Sequence, residues 1–360
     1  MENKFCVIMA GGVGSRYWPL SRESKPKQFI DILGTGKSFI RQTYERFSPF
    51  IKDENFIVVT SEKYRSLVLE HIPELTESQI LCEPVRRNTA PCICYAANRI
   101  ASMCDDAVMI VTPADHLITN NRKFENTISI AVETAVKHNC LMTIGIKPSR
   151  PETGYGYIQT EVVNAGEGEA MKVKAFTEKP HRELAEVFVE CGEFLWNSGI
   201  FIWSVNAIKE AFEAYAPDIH ALFQQGEGLF NTDKEREFID NIYPRCENIS
   251  IDYGIMEKSD KVGVVCADFG WSDVGTWRSM YELSDKDAEG NSLSDNNVFM
   301  YNCEGCVVRA PQDKLVITDS LKDYIIVDSG DVLMISPLGK EQDIKLYTED
   351  VRRKKGEEFL

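Results

Sequence analysis

Short apolar runs separated by polar and turn residues dominate the first 150 positions. Residues 5–10, 56–60, 80–82 and 107–112 have the length and continuity of strands buried on both faces. Between them, 39–47, 62–71, 90–103 and 124–138 read as helices. This alternation predicts a doubly wound sheet with helices on both faces. Ligands of such sheets bind beyond the carboxyl ends of the strands, which singles out the loop after Ala10, the segment after Cys82 and the segment after Thr112.

From about 150 to 285 the pattern is mixed. Strand-like runs at 156–163, 172–177, 199–204 and 262–269 alternate with helical ones at 182–191 and 207–214, as in an insertion that covers the first sheet and completes a cleft. The polar stretch Asp285-Lys286-Asp287-Ala288-Glu289-Gly290-Asn291 then marks a boundary. The expected division is 1–285 and 286–360. Beyond it, β runs at 306–309, 315–318, 324–327 and 332–336 recur with turn residues between them, predicting a small all-β cap or β-helix. Residues 352–358 read as a solvated tail. Every catalytic candidate precedes residue 285, so the β-rich region is expected to serve assembly or stability.

The net charge of -16, with no long basic run to offset it, excludes a nucleic-acid surface. An anionic small substrate would need a local island of positive charge, and Arg16, Arg22, Lys25 and Lys27 form one against Glu23 alone. No stretch approaches the ~18 to 20 apolar residues that cross a bilayer. The opening residues lack a signal-peptide apolar region and read as a first strand, so a cytoplasmic protein without a membrane partner is expected. Eleven cysteines lie scattered through apolar runs. Cys6, Cys94, Cys140 and Cys266 fit small core residues of a reducing compartment. The pair Cys303-x-x-Cys306 has no second pair to complete a zinc site and reads as a turn.

The strongest chemical feature runs from Ala10 through Gly11-Gly12-Val13-Gly14-Ser15-Arg16 to Arg22, followed by Lys25-Pro26-Lys27-Gln28-Phe29. A strand entering three glycines lets the backbone approach a phosphate and offer its N–H groups. The dinucleotide fingerprint fails, because Tyr17 stands where its third glycine belongs. Gly36-Lys37-Ser38 resembles the end of a P-loop, but Asp31 stands where the earlier glycine is required.

The pattern Gly-Gly-x-Gly-x-Arg-x-x-Pro-Leu-Ser with a following Pro-Lys-Gln-Phe resembles the signature of the sugar-nucleotide pyrophosphorylases. The details Trp18-Pro19-Leu20-Ser21-Arg22 and Pro26-Lys27-Gln28-Phe29 resemble its mannose-1-phosphate guanylyltransferase branch. The likeness is clear over about 5–285 and looser beyond. It implies a Rossmann-like mixed α/β sheet with a small C-terminal β-helix-like domain. It also implies that the loop, with Gly11, Gly12, Gly14 and Ser15, wraps a nucleoside triphosphate while Arg16 and Lys27 neutralise phosphate charge in the transition state.

A second motif, Glu83-Pro84-Val85-Arg86-Arg87-Asn88-Thr89-Ala90-Pro91, lies between a strand and a helix. Guanine presents two adjacent donors, and a carboxylate accepts both, whereas an amide has one acceptor oxygen. Glu83 is thus a candidate guanine reader, with a solvated strand end as the plain alternative. Asn88 or Thr89 would combine helix N-cap and base contact; the motif also fits the guanylyltransferase resemblance.

Two aspartates follow apolar strands, Asp115 in Pro113-Ala114-Asp115-His116 and Asp273 in Gly270-Trp271-Ser272-Asp273-Val274-Gly275. Alone, Asp115 could be a helix cap, and His116 reads as structural. Magnesium takes one or two carboxylates plus substrate phosphates and water. The resemblance makes these two aspartates the Mg2+ ligands. It also places Gly154, Tyr155, Gly156, Glu178, Lys179 and Asn197 in a sugar-phosphate pocket, with Glu178 and Asn197 on hydroxyls and Lys179 on the phosphate. Residues 251–258 match the branch without a clear role. Trp196, Phe201 and Trp203 read as core.

The implied substrates are GTP and mannose 1-phosphate and the product GDP-mannose. A homodimer stays open as the assembly. Another sugar-1-phosphate nucleotidyltransferase, such as a glucose-1-phosphate thymidylyltransferase, is the alternative within the class, and a silent sugar-nucleotide sensor the alternative outside it. Some members of the branch carry a phosphomannose isomerase region after the β-rich part; with the sequence reaching only Leu360, isomerase activity is not expected.

Overall fold

The computed structural model describes residues 3–162, 166–294 and 297–360. The chain forms two compact units, and each draws on separated stretches of sequence. Unit 1 comprises Met1–Gly11, Thr43–Ala114 and Ile118–Trp271; unit 2 comprises Gly12–Gln42, Asp115–Leu117 and Ser272–Leu360. By packing, residues 286–360 therefore share a unit with the segment that follows Gly11.

In chain order the strands of the first 270 residues are β1 (Lys4–Met9), β2 (Phe56–Ser61), β3 (Ile80–Glu83), β4 (Val108–Pro113), the two-residue β5 (Leu117–Ile118), β6 (Leu141–Ile146), β7 (Gly156–Thr160), β8 (Ala170–Glu178), β9 (Phe194–Ser204) and β10 (Val262–Ala267). The helices are α1 (Phe39–Phe47), α2 (Arg65–His71), α3 (Thr89–Ala101), α4 (Asn121–His138), α5 (Arg182–Cys191), α6 (Val205–Tyr215), α7 (Pro217–Gln224) and α8 (Glu235–Ile242).

Unit 1 is built on a nine-stranded mixed sheet in the order β3-β2-β1-β4-β9-β6-β10-β8-β7. Strands β3, β2, β1 and β4 run parallel, as their continuous apolar sequences predict. The expectation that the middle of the chain covers this sheet is corrected. Strand β9 instead lies between β4 and β6, antiparallel to both, and β10, β8 and β7 extend the sheet further. The reason is visible in β9 itself: Leu195, Trp196 and Ile200 to Trp203 are all buried, and a strand with both faces buried belongs inside a sheet. Strand β6 is absent from the sequence-based expectation, although all six of its residues are buried. Of the expected strand 156–163, β7 ends at Thr160 and position 163 lies outside the described residues. Helices α7 and α8 are likewise absent from that expectation. Trp203 and Phe201 stack in the main core of this unit.

After the two-residue β11 (Trp271–Ser272), unit 2 adds α9 (Trp277–Leu283), β12 (Val298–Tyr301), β13 (Val307–Arg309), β14 (Val316–Asp319), β15 (Tyr324–Asp328), β16 (Leu333–Pro337) and α10 (Ile344–Lys355). The strands β12 to β16 form the C-terminal β region. Within it β12 pairs with β14 and β13 with β15, in parallel, as successive coils of a β-helix do. Strand β16 returns antiparallel to β15, and α10 follows. The tail expected at 352–358 is exposed, but it starts as the last turn of α10. Just beyond it, the Trp18 indole donates to the Phe359 carbonyl at 2.7 Å. Cys303 and Cys306 are buried and brace a turn, with the Leu321 N–H donating to Cys303 Sγ and Cys306 Sγ donating to the Leu321 carbonyl.

The larger core of unit 2 joins separated stretches of sequence. Tyr17, Trp18, Ile32 and Phe39 pack with Val274, Trp277 and Met280, and with Val307, Ile325, Val327, Met334, Leu338 and Ile344. The last six residues are lost if the chain stops at 285. Burying an apolar side chain is worth about 1.5–3 kcal/mol, so roughly 9–18 kcal/mol disappears, as much as a whole domain's stability of about 5–15 kcal/mol. A chain truncated at 285 is expected to be insoluble or to lack the near-UV dichroism of packed Trp18 and Trp277. A soluble product that unfolds cooperatively at the full-length temperature would refute this packing argument.

Candidate active site

The glycine loop is where the chain passes from unit 1 to unit 2. Gly11 lies two residues beyond β1, and a Cβ there would lie 3.2 Å from Glu83 Oε2. Gly12 accepts a hydrogen bond from Gln28 Nε2 at 3.0 Å. Gly14 has φ 72°, a left-handed conformation that favours glycine, and a Cβ there would run into Lys27 Cβ. The chain then turns through a short 3-10 helix, Ser15–Tyr17, whose buried Tyr17 donates its hydroxyl proton to the Thr276 carbonyl at 2.6 Å.

Within unit 2 a cavity of about 320 Å³ is lined by Gly14, Ser15, Arg16, Tyr17, Lys27, Asp115, His116, Asp273, Gly275 and Lys345. It thus gathers both expected cations and both expected metal ligands. Lys27 is only 2% exposed. Its ammonium donates to Asp115 Oδ2 at 3.0 Å, to the Asp115 carbonyl at 3.1 Å and to the Asp273 carbonyl at 2.6 Å. The rings of Tyr17 and Phe39 flank it. Lys27 is therefore a brace between the two aspartate segments as well as a charge. Burial raises the Asp115 pKa, but Lys27 and His116 outweigh it and hold the carboxyl below its ordinary value. Asp273 is oriented by the Gly275 N–H, which donates to Oδ1 at 2.9 Å. Arg16 lines the cavity with its Nε buried and without a partner among the described residues.

The rest of the basic island is used otherwise. Arg22 grips Asp331 with Nη1 at 2.7 Å and Nη2 at 2.5 Å, and also reaches Ser329. Its charge ties the loop to the C-terminal β region.

Unit 1 carries the other two groups of expected residues. Glu83 ends β3 and is 8% exposed, with the Tyr243 hydroxyl donating to Oε1. Burial pushes its pKa up to about 7, against the lowering effects of that hydrogen bond and of Arg86. Asn88 is the N-cap of α3 at φ 65°, its side chain accepting from the Thr89 N–H at 2.9 Å. Thr89 in turn accepts from the Ile251 N–H at 2.9 Å, so its hydroxyl fastens the 249–251 segment.

Gly156 stands opposite Glu178 in the β7–β8 register, and a Cβ on Gly156 would collide with the Glu178 carboxylate. Glu178 Oε1 pairs with Lys179 Nζ at 2.7 Å. Tyr155 makes edge-on ring contacts with Trp196 and Trp271, while Gly154 is exposed. Asn197 donates from Nδ2 to Asp252 Oδ1 at 2.8 Å. This last contact brings in a residue for which the sequence suggested no role. Burial, then the neighbouring Glu178, push the Asp252 pKa up to about 6, against Asn197 and Lys179. Its only advance signal was an acid inside the otherwise apolar stretch 251–256.

The family model described as nucleotidyl transferase matches residues 5–290. The chain belongs to the nucleotidyl transferase family and is a nucleotidyltransferase. Among curated proteins it is similar to the mannose-1-phosphate guanylyltransferase of Klebsiella pneumoniae, at 37% identity over 98% of this chain and 75% of that protein. It is likewise similar to the alginate biosynthesis protein AlgA of Pseudomonas aeruginosa, at 35% identity over 96% of this chain and 71% of that one. A solved structure from Thermus thermophilus, described as a mannose-1-phosphate geranyltransferase, covers 98% of this chain and all of its own, at 27% identity and a TM-score of 0.87. Among the described residues, no helix is long and apolar enough to cross a membrane.

Proposed function

We infer that this nucleotidyltransferase is a mannose-1-phosphate guanylyltransferase, converting GTP and α-D-mannose 1-phosphate to GDP-mannose and diphosphate in the cytoplasm. The observation that carries the reading is the cavity in which Lys27 binds both aspartate segments beside Arg16, in a chain similar over nearly its whole length to a guanylyltransferase.

The chemistry needs little from the protein beyond placement and charge. A phosphate monoester has its second pKa near ~6, so the attacking oxygen of the sugar phosphate is already ionised at neutral pH. No general base is required. The oxygen attacks the α-phosphorus in line with the departing diphosphate. Arg16 and Lys27 oppose the charge that develops, and the loop from Gly11 to Ser15 offers backbone N–H groups to the phosphates. In unit 1, Glu83 accepts from the guanine donors while Asn88 and Thr89 shape the helix end beside it. Glu178, Asn197 and Asp252 face sugar hydroxyls there, with Lys179 on the sugar phosphate and Gly154, Tyr155 and Gly156 forming the wall.

The donor set fits magnesium. Asp115 and Asp273 are two carboxylates on one cavity, and the described residues hold no cluster of three or more ligating side chains. Two carboxylates completed by phosphates and water are what this ion takes, whereas a protein-only cage would suit calcium. When bound, the ion supplies charge neutralisation at the reacting phosphates.

The test is diphosphate release across GTP, ATP, UTP and dTTP, each offered with mannose 1-phosphate and glucose 1-phosphate. The highest kcat/KM is expected for GTP with mannose 1-phosphate. A maximum at dTTP with glucose 1-phosphate would move the chain to the thymidylyltransferase alternative. Tight GDP-mannose binding without any turnover would make it a sensor.

A further inference from the structure

We propose that Lys345, on the C-terminal helix, is a phosphate-binding residue of the transfer reaction and holds its diphosphate leaving group. The proposal rests on reading the unit 2 cavity as the triphosphate site.

Lys345 is the second residue of α10, yet it lines the same cavity as Arg16, Lys27, Asp115 and Asp273. Its neighbour Ile344 fixes it there, buried in the core that also holds Tyr17 and Phe39. Helix α10 lies against Ser15–Tyr17. A lysine in a first turn faces the positive end of the helix macrodipole and is disfavoured. The four cations of the last turn, Arg352 to Lys355, stand where that dipole favours them. Lys345 has no ion pair among the described residues to compensate. The helix gives no reason for a charge at this position, but the cavity does.

The cations of that wall divide into two kinds. The Lys27 ammonium is taken up by Asp115 and two carbonyls. Arg16 and Lys345 carry no ion pair among the described residues and are left to meet an anion. In the reaction a sugar-phosphate oxygen forms a bond to the α-phosphorus. The bond from that phosphorus to the α–β bridging oxygen breaks, and its electron pair leaves with the β and γ phosphates. The α-phosphorus ends in a phosphoanhydride to the sugar phosphate, still with a single charge, while the departing diphosphate gains one. Growing charge therefore collects on the diphosphate, and that is where two uncommitted cations help.

The experiment uses the full chain with Lys345→Ala and Lys345→Arg, and with Lys354→Ala as a control for helix charge. Two quantities are read with magnesium present: diphosphate affinity by calorimetry, and KM for diphosphate and for GDP-mannose in the reverse reaction. A lost charge-assisted hydrogen bond at an exposed lysine corresponds to about a tenfold weakening. Lys345→Ala is expected to weaken diphosphate about tenfold in both assays and to leave KM for GDP-mannose unchanged. Arginine restores most of the loss, and Lys354→Ala changes neither value. The dependence of diphosphate affinity on ionic strength also flattens in Lys345→Ala. Unchanged diphosphate affinity in Lys345→Ala, or an equal loss on both ligands, overturns the proposal. A wild type inactive on GDP-mannose whose diphosphate affinity still falls tenfold with Lys345→Ala would instead overturn the substrate reading and leave Lys345 in place.

Discussion

Replacing Asp115 or Asp273 by asparagine is expected to lower kcat by two to four orders of magnitude while the protein keeps its fold. The argument begins with what each carboxylate does without substrate. Asp115 takes one proton donor of the Lys27 ammonium, and an asparagine oxygen can accept the same bond. Asp273 is held by the Gly275 N–H, which an amide oxygen can also accept. Neither change creates a cavity or a clash, so the melting temperature of Asp273→Asn should stay within a few degrees, while Asp115→Asn, which leaves the buried Lys27 ammonium without its carboxylate, should melt somewhat lower and still fold. What disappears is negative charge facing the cavity. Metal-assisted charge stabilisation is worth several kcal/mol, and about 1.4 kcal/mol is tenfold in rate, which gives the stated range. Each variant should also require more magnesium for half-maximal rate. Asp115→Asn should show a second effect, because the buried Lys27 loses its ionic partner. A near-normal rate at ordinary magnesium for either variant would remove that residue from the ligand set. A large fall in melting temperature would instead mark it as a structural partner of Lys27.

The elements most legible in the sequence are those governed by local rules. The strands of the parallel half were placed to within a residue or so, because an uninterrupted apolar run has few other uses. Helix α10 is not legible in the same way. It fully buries only Ile344 among twelve residues, and its stripe of Ile344, Tyr347 and Val351 is short and runs into the charged stretch from Arg352. The place of β9 was hidden for a different reason. Sheet order is a long-range property, and no residue of β9 announces that β4 and β6 are its partners.

The site divides in the same way. Gly14 and Lys27 sit thirteen positions apart in a recognisable motif, and the structure shows the steric reason, since only glycine leaves room for the lysine stem. Within the basic island, however, composition could not separate Arg16, which lines the cavity, from Arg22, which is committed to Asp331 far along the chain. Lys345 lies in no motif at all. Its position depends on the fold of the C-terminal region, so the expectation that this region only stabilises or assembles the protein missed its contribution to the cavity wall.

Glu83 is expected to work as a guanine reader at a cost to the free protein, and the two effects can be measured separately. In the free state its carboxyl has a pKa near 7, well above the ordinary 4.5, mainly because it is buried. The sign follows directly. A group whose folded pKa is raised binds more protons folded than unfolded, so stability falls as pH rises from about 4.5 to 7. At about 1.4 kcal/mol per pH unit, ionising Glu83 costs up to roughly 3 kcal/mol above pH 7. Glu83→Gln should therefore melt higher than wild type at pH 8, with the difference shrinking towards pH 5. Ligand binding runs the other way. Guanine's two donors favour the ionised form, so the wild type should bind GDP-mannose, which has no phosphate titrating near neutrality, about tenfold more weakly for each pH unit below 7. The glutamine variant should show no such dependence. It keeps one acceptor oxygen for two guanine donors, and losing a charge-assisted hydrogen bond costs about 1.5–3 kcal/mol. Its preference for GTP over dTTP in kcat/KM should then fall by one to two orders of magnitude. Thymine, with one N–H between two carbonyls, pairs with an amide better than with a carboxylate, so dTTP should hold or gain. An equal proportional loss on GTP and dTTP, with GDP-mannose affinity flat across pH in the wild type, would show that Glu83 supports β3 and Tyr243 without touching the base.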